Sequence, residues 1–312
     1  MRIGIDIMGG DYAPSATVAG AILAQEELGP EIEVVLIGNK EEIIKKLEKE
    51  GSSPSSFIIE HSDDVIGMGE HPTKAFVKKP NSSIAKGFEL LAKKEIQAFA
   101  SAGNTGAMLV GSMYTVKSIP GIIRPCITSA VPKQNGGFTI LLDVGSNPDC
   151  KPDVLYQYAI LGSTYAENVY SIKNPKVGLL NLGEEAEKGS ILTQATYQLM
   201  KDTTDFNFIG NVEGRDILLK EVDVVVCDGF TGNILLKMAE SFYTLMAKRD
   251  TLDDYFSKFN YENYGGTPIL GVNSNVIIGH GISNSKAIKN MITHAADVAK
   301  AELSEKLKLA IK

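Results

Sequence analysis

Short apolar runs, each closing on a cluster of Gly, Asp, Asn or Thr, alternate with longer stretches of helical periodicity from one end of the chain to the other, and this alternation restricts the fold most. Ile3–Met8, Glu33–Ile37, Phe57–Glu60, Ile96–Ala100, Lys176–Leu182, Phe206–Val212, Val222–Cys227 and Val276–Gly279 read as strands. Arg124–Val131 and Gly137–Asp143 read as an antiparallel pair turning across Lys133-Gln134-Asn135-Gly136, because Asn-Gly supplies the positive φ of a hairpin. Between them, Pro14 suits a first helical turn and Val18, Ile22, Gln25 and Leu28 follow at helical spacing. Helices are expected over Lys40–Glu50, Asn81–Lys94 (capped by Asn81 or Ser82), Val154–Tyr170, Gly189–Met200, Thr231–Lys248, and as one long closing helix from Asn284 to about Leu309. Asp63–Pro80, with Gly67, Gly69, Pro72 and Pro80, reads as a long functional loop or a broken helix. The implied fold is a three-layer α/β/α arrangement on a mainly parallel mixed sheet, with ligand sites outside the carboxyl ends of the strands.

A chain of 312 residues is large enough for one big α/β unit or two lobes, so a single two-lobed unit with an interlobe cleft is expected over 1–312. With 44% hydrophobic and 22% charged residues the chain is an ordinary globular one, and a net charge of -7 argues against a nucleic-acid partner. Cys126, Cys150 and Cys227 are too few and too scattered for a disulfide framework or a C-x-x-C metal site. Met1-Arg2-Ile3-Gly4-Ile5 enters a strand without an apolar signal core, and no stretch reaches about 18 consecutive apolar residues. A cytoplasmic setting is the expectation; the sequon Asn81-Ser82-Ser83 then has no consequence.

Chemistry concentrates in the strand-end loops. In Ser101-Ala102-Gly103-Asn104-Thr105-Gly106-Ala107, Gly103 and Gly106 allow a sharp turn and a close ligand, while Asn104 and Thr105 can cap a helix whose first amides suit an anion, most plausibly phosphate. An ordinary capped helix start accounts for the same residues. Comparable loops follow at Asp6 with Gly9-Gly10-Asp11, Asp143 to Asn147, Gly183-Glu184-Glu185, Asn211 to Arg215, Asp228-Gly229-Phe230-Thr231-Gly232-Asn233, and Gly279-His280-Gly281. Each alone is only a turn with a cap; together they suggest a polar, glycine-lined crevice. No G-x-S-x-G, H-E-x-x-H or close histidine pair occurs. Cys227 reads as a buried strand-end residue or a nucleophile, and His280 is the one histidine set between glycines; His61, His71 and His294 read as surface or packing residues.

The motifs D-I-M-G-G-D-Y-A-P (Asp6–Pro14), S-A-G-N-T-G-A (Ser101–Ala107), L-L-D-V-G-S-N (Leu141–Asn147), V-G-L-L-N-L-G-E-E-x-E-K-G (Val177–Gly189), N-V-E-G-R-D-I (Asn211–Ile217), C-D-G-F-T-G-N (Cys227–Asn233), Y-G-G-T-P-I-L-G (Tyr264–Gly271) and His280-Gly281 resemble, in order and end to end, the bacterial phosphate acyltransferases of phospholipid synthesis, the PlsX family. The resemblance implies conversion of fatty acyl-[acyl-carrier protein] and inorganic phosphate to acyl phosphate, which a glycerol-3-phosphate acyltransferase then uses. More distantly the chain resembles phosphotransacetylases and the isocitrate/isopropylmalate dehydrogenase fold, which implies a homodimer. No cofactor and no metal is implied.

Phosphate attacking a thioester needs a cradle of neutral N–H donors that does not quench its nucleophilic oxygen. The backbone around Gly103–Gly106 and the Asp228–Asn233 loop are assigned to phosphate and the developing oxyanion. Lys188, read as one helical turn from Glu184, adds a charge or forms a surface ion pair; His280 or Asp228 manages the proton. The catalytic candidates are thus Lys188, Asp228, Asn233 and His280. The binding candidates are Ser101, Gly103, Asn104, Thr105, Gly106, Asp143, Asn147, Glu184, Asn211, Glu213, Gly229, Thr231, Gly232 and Gly281, with the N-terminal loop Asp6, Gly9, Gly10 and Asp11. Asp6, Asp11, Asp143 and Glu213 either orient donors or cap loops.

Ser241–Asn263 departs from the family pattern as a shortened helical insertion. Phe242, Leu245, Met246, Leu252, Tyr255, Phe256 and Phe259 make a small apolar face for membrane contact, dimer contact or helix packing, opposed by Asp250, Asp253, Asp254 and Glu262. A peripheral position at the inner membrane face is one expectation. An acidic carrier protein requires a local basic patch, for which Lys117, Arg124, Lys133, Lys248 and Arg249 are candidates. A short-chain phosphotransacetylase using acyl-CoA, a nicotinamide- and metal-dependent dehydrogenase and a non-catalytic carrier-binding scaffold are the alternatives.

Overall fold

The alternating pattern folds, in a computed structural model that describes residues 1–311, into two compact units: Met1–Ser118 with Tyr261–Glu302, and Ile119–Asn260 with the segment from Leu303 onward. The first unit begins with β1 (Arg2–Asp6), α1 (Ser15–Leu28), β2 (Glu33–Gly38), α2 (Lys40–Lys49), β3 (Ile58–His61), α3 (Pro72–Lys78), α4 (Ser83–Ala92), β4 (Ala98–Ser101) and α5 (Thr105–Gly111), which runs on into a π-turn at Ser112–Val116. The second holds β5 (Cys126–Pro132), β6 (Phe138–Leu142), α6 (Pro152–Val169), β7 (Lys176–Leu180), α7 (Ile191–Met200), β8 (Asn207–Val212), α8 (Asp216–Leu219), β9 (Val224–Val226) and α9 (Gly229–Lys248). The chain then returns to the first unit with β10 (Gly266–Leu270), β11 (Asn275–Gly279) and α10 (Ser285–Lys300), and ends in the second with α11 (Leu303–Ala310).

In the first unit the strand order is β3-β2-β1-β4-β11-β10, parallel except for the antiparallel β10–β11 pair. In the second it is β5-β6-β9-β7-β8, parallel except for the β5–β6 hairpin. Central strands are buried on both faces: Ile3 and Ile5 of β1, and Val224, Val225 and Val226 of β9, have no exposed surface. That is why they read as unbroken apolar runs rather than alternating ones. The fold is the three-layer, mainly parallel α/β class expected from the pattern.

The structure departs from the sequence pattern at five places. β10 was hidden in a Gly- and Pro-containing segment that has no alternation, and α8 is too short to show a period. The closing helix is two helices: Ala301 ends α10, Glu302 takes a positive φ of 52°, and α11 packs Leu303 and Leu307 into the second unit against α6. α1 buries Val18, Ala21 and Ala24, leaving Ile22, Gln25 and Leu28 only half-buried, because its small face, including Gly20, lies against Ile288 of α10. In the hairpin the positive φ values fall on Gly136 (92°) and Gly137 (73°).

Residues 241–263 are the end of α9, an irregular stretch, and 3-10 turns at Phe256–Phe259 and Tyr261–Asn263. Their aromatic side chains pack on one another within the second unit: Phe242 meets Phe256 and Phe259 with ring centroids 6.2 and 5.6 Å apart, and Tyr255 meets Phe259 at 5.3 Å. Among the described residues no helix is long and apolar enough to cross a membrane.

Candidate functional site

In the first unit, the N-terminal loop and the Ser101–Gly106 loop are tied at the carboxyl ends of adjacent strands β1 and β4. Asp6, 1% exposed, accepts from the Ser101 hydroxyl at 2.7 Å and from the Met8 amide at 3.0 Å. Ser101 Oγ in turn accepts from the Gly103 amide at 2.9 Å. Burial raises the Asp6 pKa, and the hydrogen bonds from Ser101 and Met8 oppose the rise. A side chain at Gly9 would lie 2.7 Å from the Gly103 amide nitrogen and 2.8 Å from Ser101 Oγ, so the two loops interlock. Gly10 leads into Asp11, whose amide donates to Gly281 O at 2.7 Å, which ties the His280-Gly281 turn to the same cluster. The His280 ring lies against Tyr261, centroids 5.1 Å apart.

Asn104 caps α5 by accepting from the Ala107 amide at 3.0 Å, while its side-chain amide meets the carbonyls of Gly67, Met68 and Glu70 at 3.0–3.2 Å. It therefore pins the segment that the sequence left as loop or broken helix. Gly103 and Gly106 are required by the protein's own packing: neither has a positive φ, and a side chain at Gly106 would run into Pro72 of α3. What the loop leaves to solvent is Thr105, with the Thr105 and Gly106 amides carrying no protein partner among the described residues.

In the second unit, Asp143 is the hub. It is fully buried and accepts from the Ile127 amide (3.1 Å), the Ser146 hydroxyl (2.7 Å), and the Asn147 amide and side chain (2.6 and 3.1 Å). Asn147 then accepts from the Gly229 amide at 2.8 Å, which fixes the first turn of α9. Asp228 caps that helix, taking the Thr231 amide at 2.9 Å and the Thr231 hydroxyl at 2.8 Å. Gly232 sits so close to the Asp143 carbonyl that no side chain fits there. Phe230 and Asn233 are exposed on this turn, and the Phe230 amide has no partner among the described residues.

The other candidates lie on the loops after β7 and β8. Lys188 is not one helical turn from Glu184, because residues 181–190 are irregular. Glu184 pairs instead with Lys220, which also holds Asp216 at 3.0 Å, while Lys188 is exposed and in no ion pair among the described residues. Glu213 pairs with neighbouring Arg215, and Asn211 donates to Glu185 O at 2.9 Å. Sequence reasoning missed Asn181, which closes the Leu182–Gly189 loop by donating to Lys188 O at 3.0 Å; its position immediately after β7 was the available signal. It also missed Ser146, the hydroxyl nearest Asp143.

Cys227 and Cys126 are buried, and desolvation drives both thiols well above their ordinary pKa; half-buried Cys150 is raised to about 11. Burial of the Cys227 thiol thus favours a protonated strand-end residue over a nucleophile. No group of three or more His, Cys, Asp and Glu placed for a metal ion occurs among the described residues.

Comparison with known proteins places these loops in context. The chain matches a family model described as "Fatty acid synthesis protein" over residues 1–248 and 243–306, two stretches that overlap in the last turns of α9. The phosphate acyltransferase of Dictyoglomus turgidum is 41% identical over 326 aligned positions, covering 98% of this chain and 96% of that protein. That of Thermoanaerobacterium thermosaccharolyticum is 43% identical over 322 positions, covering 97% and 94%. Among solved structures, a phosphotransacetylase from Streptococcus pyogenes superposes with a TM-score of 0.67 at 17% identity over 96% of this chain and 94% of that one. A branched-chain phosphotransacylase from Enterococcus faecalis gives 0.62 at 13% over 96% and 99%. At these identities the solved structures speak for the fold alone.

Proposed function

The chain belongs to the fatty acid synthesis protein family, as one of its phosphate acyltransferases, and from that premise we propose that it transfers a fatty acyl group from an acyl-carrier-protein thioester to inorganic phosphate. A phosphate oxygen attacks the thioester carbonyl, the C–O bond forms as the C–S bond breaks, and the phosphate proton ends on the departing thiolate. The observation that carries the reading is identity of about 40% to curated phosphate acyltransferases across nearly the whole chain.

The loops supply donors suited to this chemistry. In the first unit, the unpartnered amides of exposed Thr105 and half-buried Gly106 are assigned to phosphate: they are neutral, so they hold the anion without neutralising its attacking oxygen. In the second, the Phe230 amide and the exposed Asn233 side chain are assigned to the oxyanion that develops on the carbonyl. Asp228, with both oxygens engaged by Thr231, is assigned to holding that turn, and His280 remains the candidate for moving the proton. A thiolate leaves readily, so the proton transfer has little to contribute.

The test mixes the protein with palmitoyl carrier protein and phosphate and traps acyl phosphate with hydroxylamine, with palmitoyl-CoA and phosphate-free controls. Phosphate-dependent hydroxamate from the carrier thioester is expected; binding without turnover would overturn the reading, and turnover of the CoA ester alone would replace the donor. Thr105→Pro is the sharper probe of the phosphate assignment. Proline is tolerated at the first helical position but removes that amide donor, and Asn104 already has the extended conformation that precedes proline. A rise of about tenfold in the KM for phosphate is expected, from loss of one charge-assisted hydrogen bond.

A further inference from the structure

Beside the Asp228–Thr231 turn, the second unit carries a solvent-open cavity of about 390 Å³, within the rough range of 300–1,000 Å³ typical of small-ligand sites. Six leucines line it, contributed by α6, β7, the loop after β7, α7 and α9. Asp228 is the one charged residue among the described residues of the lining. The polar side chains there are already occupied. Asn181 donates to Lys188 O at 3.0 Å, Ser190 accepts from the Thr193 amide at 3.2 Å, and Asp228 takes both Thr231 donors. Such a cavity rewards burial of a neutral hydrocarbon, and its one charged side chain, Asp228, repels a phosphate or a carboxylate. A free fatty acid would set its carboxylate against Asp228, whereas an acyl thioester carries no charge.

Resting on the acyl transfer proposed above, we infer that this leucine-walled cavity seats the acyl chain of the donor, and that Leu192 and Leu235 set the chain length the enzyme accepts. Continuity is the argument. Asp228 and Thr231 belong at once to the cavity wall and to the turn assigned to the carbonyl oxygen, so a thioester held at the turn has the cavity next to its first methylenes. Leu192 on α7 and Leu235 on α9 are both half-buried, and Leu235 reaches Gly214 on a third side, its Cδ2 3.9 Å from where a side chain there would start. Bulk added at either position subtracts directly from the space for methylenes. Each buried methylene strengthens binding about fourfold, so kcat/KM rises with chain length until the cavity is full and then falls.

The test measures kcat/KM for a series of saturated acyl carrier proteins, decanoyl to stearoyl, with the native protein, Leu192→Phe, Leu235→Phe and Leu192→Ala. The phenylalanine variants are expected to move the optimum to shorter chains, lowering the ratio of stearoyl to decanoyl kcat/KM by about tenfold or more, and Leu192→Ala to move it to longer ones. A loss equal at every chain length, or an unchanged profile in all three variants, would overturn the assignment. Native circular dichroism and thermal unfolding report folding, and the alanine variant keeps the test open if the larger side chains do not fit. A neutral fatty acyl amide bearing a photoreactive diazirine, crosslinked to the native protein and mapped by mass spectrometry, reads the cavity without turnover. Label on α7 and α9 supports the site, and label confined elsewhere overturns it. Label there from a protein that consumes no acyl carrier protein would sink the proposed reaction and leave the acyl site standing.

Discussion

Asp143→Asn tests whether the second unit's loops are organised from one buried carboxylate. Among the described residues the aspartate is in no ion pair; it accepts from donors of Ile127, Ser146 and Asn147 at 2.6–3.4 Å. Asparagine keeps one acceptor oxygen but turns an NH₂ toward donors on the other side. Two hydrogen bonds to a charged group are lost, each worth about 1.5–3 kcal/mol, and those that survive become neutral and about half as strong. Removing a buried charge returns part of this, since desolvating an ion costs several kcal/mol. The balance is a local destabilisation of about 2–4 kcal/mol. Because the chain has two units, a single unfolding free energy is not the right observable. Amide hydrogen exchange is: protection in peptides spanning 141–150 and 227–236 should fall by about 30- to 700-fold, with peptides around β1 and β4 unchanged. Acyl-phosphate formation should fall with it, because Asn147 carries the Gly229 amide. Native protection at 141–150, or an equal loss in both units, would refute the argument.

Gly232→Ala should lose activity and about 1–3 kcal/mol of local stability despite alanine's better helix propensity; its side chain would meet the Asp143 backbone and lie 2.9 Å from Cys227 Sγ, and amide exchange over 227–236 with the hydroxamate assay checks it. Asn104→Asp keeps the α5 cap but faces a carboxylate toward three carbonyls, so proteolysis within 63–71 should become faster while β4 stays protected. Asp6 has a folded-state pKa raised above 3.8, so the folded protein holds that proton more tightly than the unfolded chain. Its contribution is present below that value and is lost as pH rises through the folded value. The difference in amide protection of β1 and β4 between native protein and Asp6→Asn should therefore shrink as pH rises from 3.8, and a difference that grows would contradict the raised pKa.

Much of this was legible in the sequence because the information is local. Apolar runs mark buried strands, and Ser82, Asn104 and Asp228 each cap the helix that follows by bonding an amide three residues on. The order of motifs carried the family. The sequence could not say which polar loop residues are spent on the fold, because their partners lie far along the chain. Asp6 and Ser101 are 95 residues apart, Asn104 and Gly67 are 37 apart, and Glu184 chose Lys220, 36 residues away, over Lys188 on its own loop. Helix breaks follow the same rule: 284–309 is periodic enough for one helix, but the turn at Glu302 is set by where α10 and α11 each find a core. The cavity beside Asp228 is the extreme case, since its leucines come from five segments that share no local pattern. Caps, turns and periodicity are decided by neighbouring residues; a hub or a cavity exists only once the strand order has brought distant loops to the same sheet end.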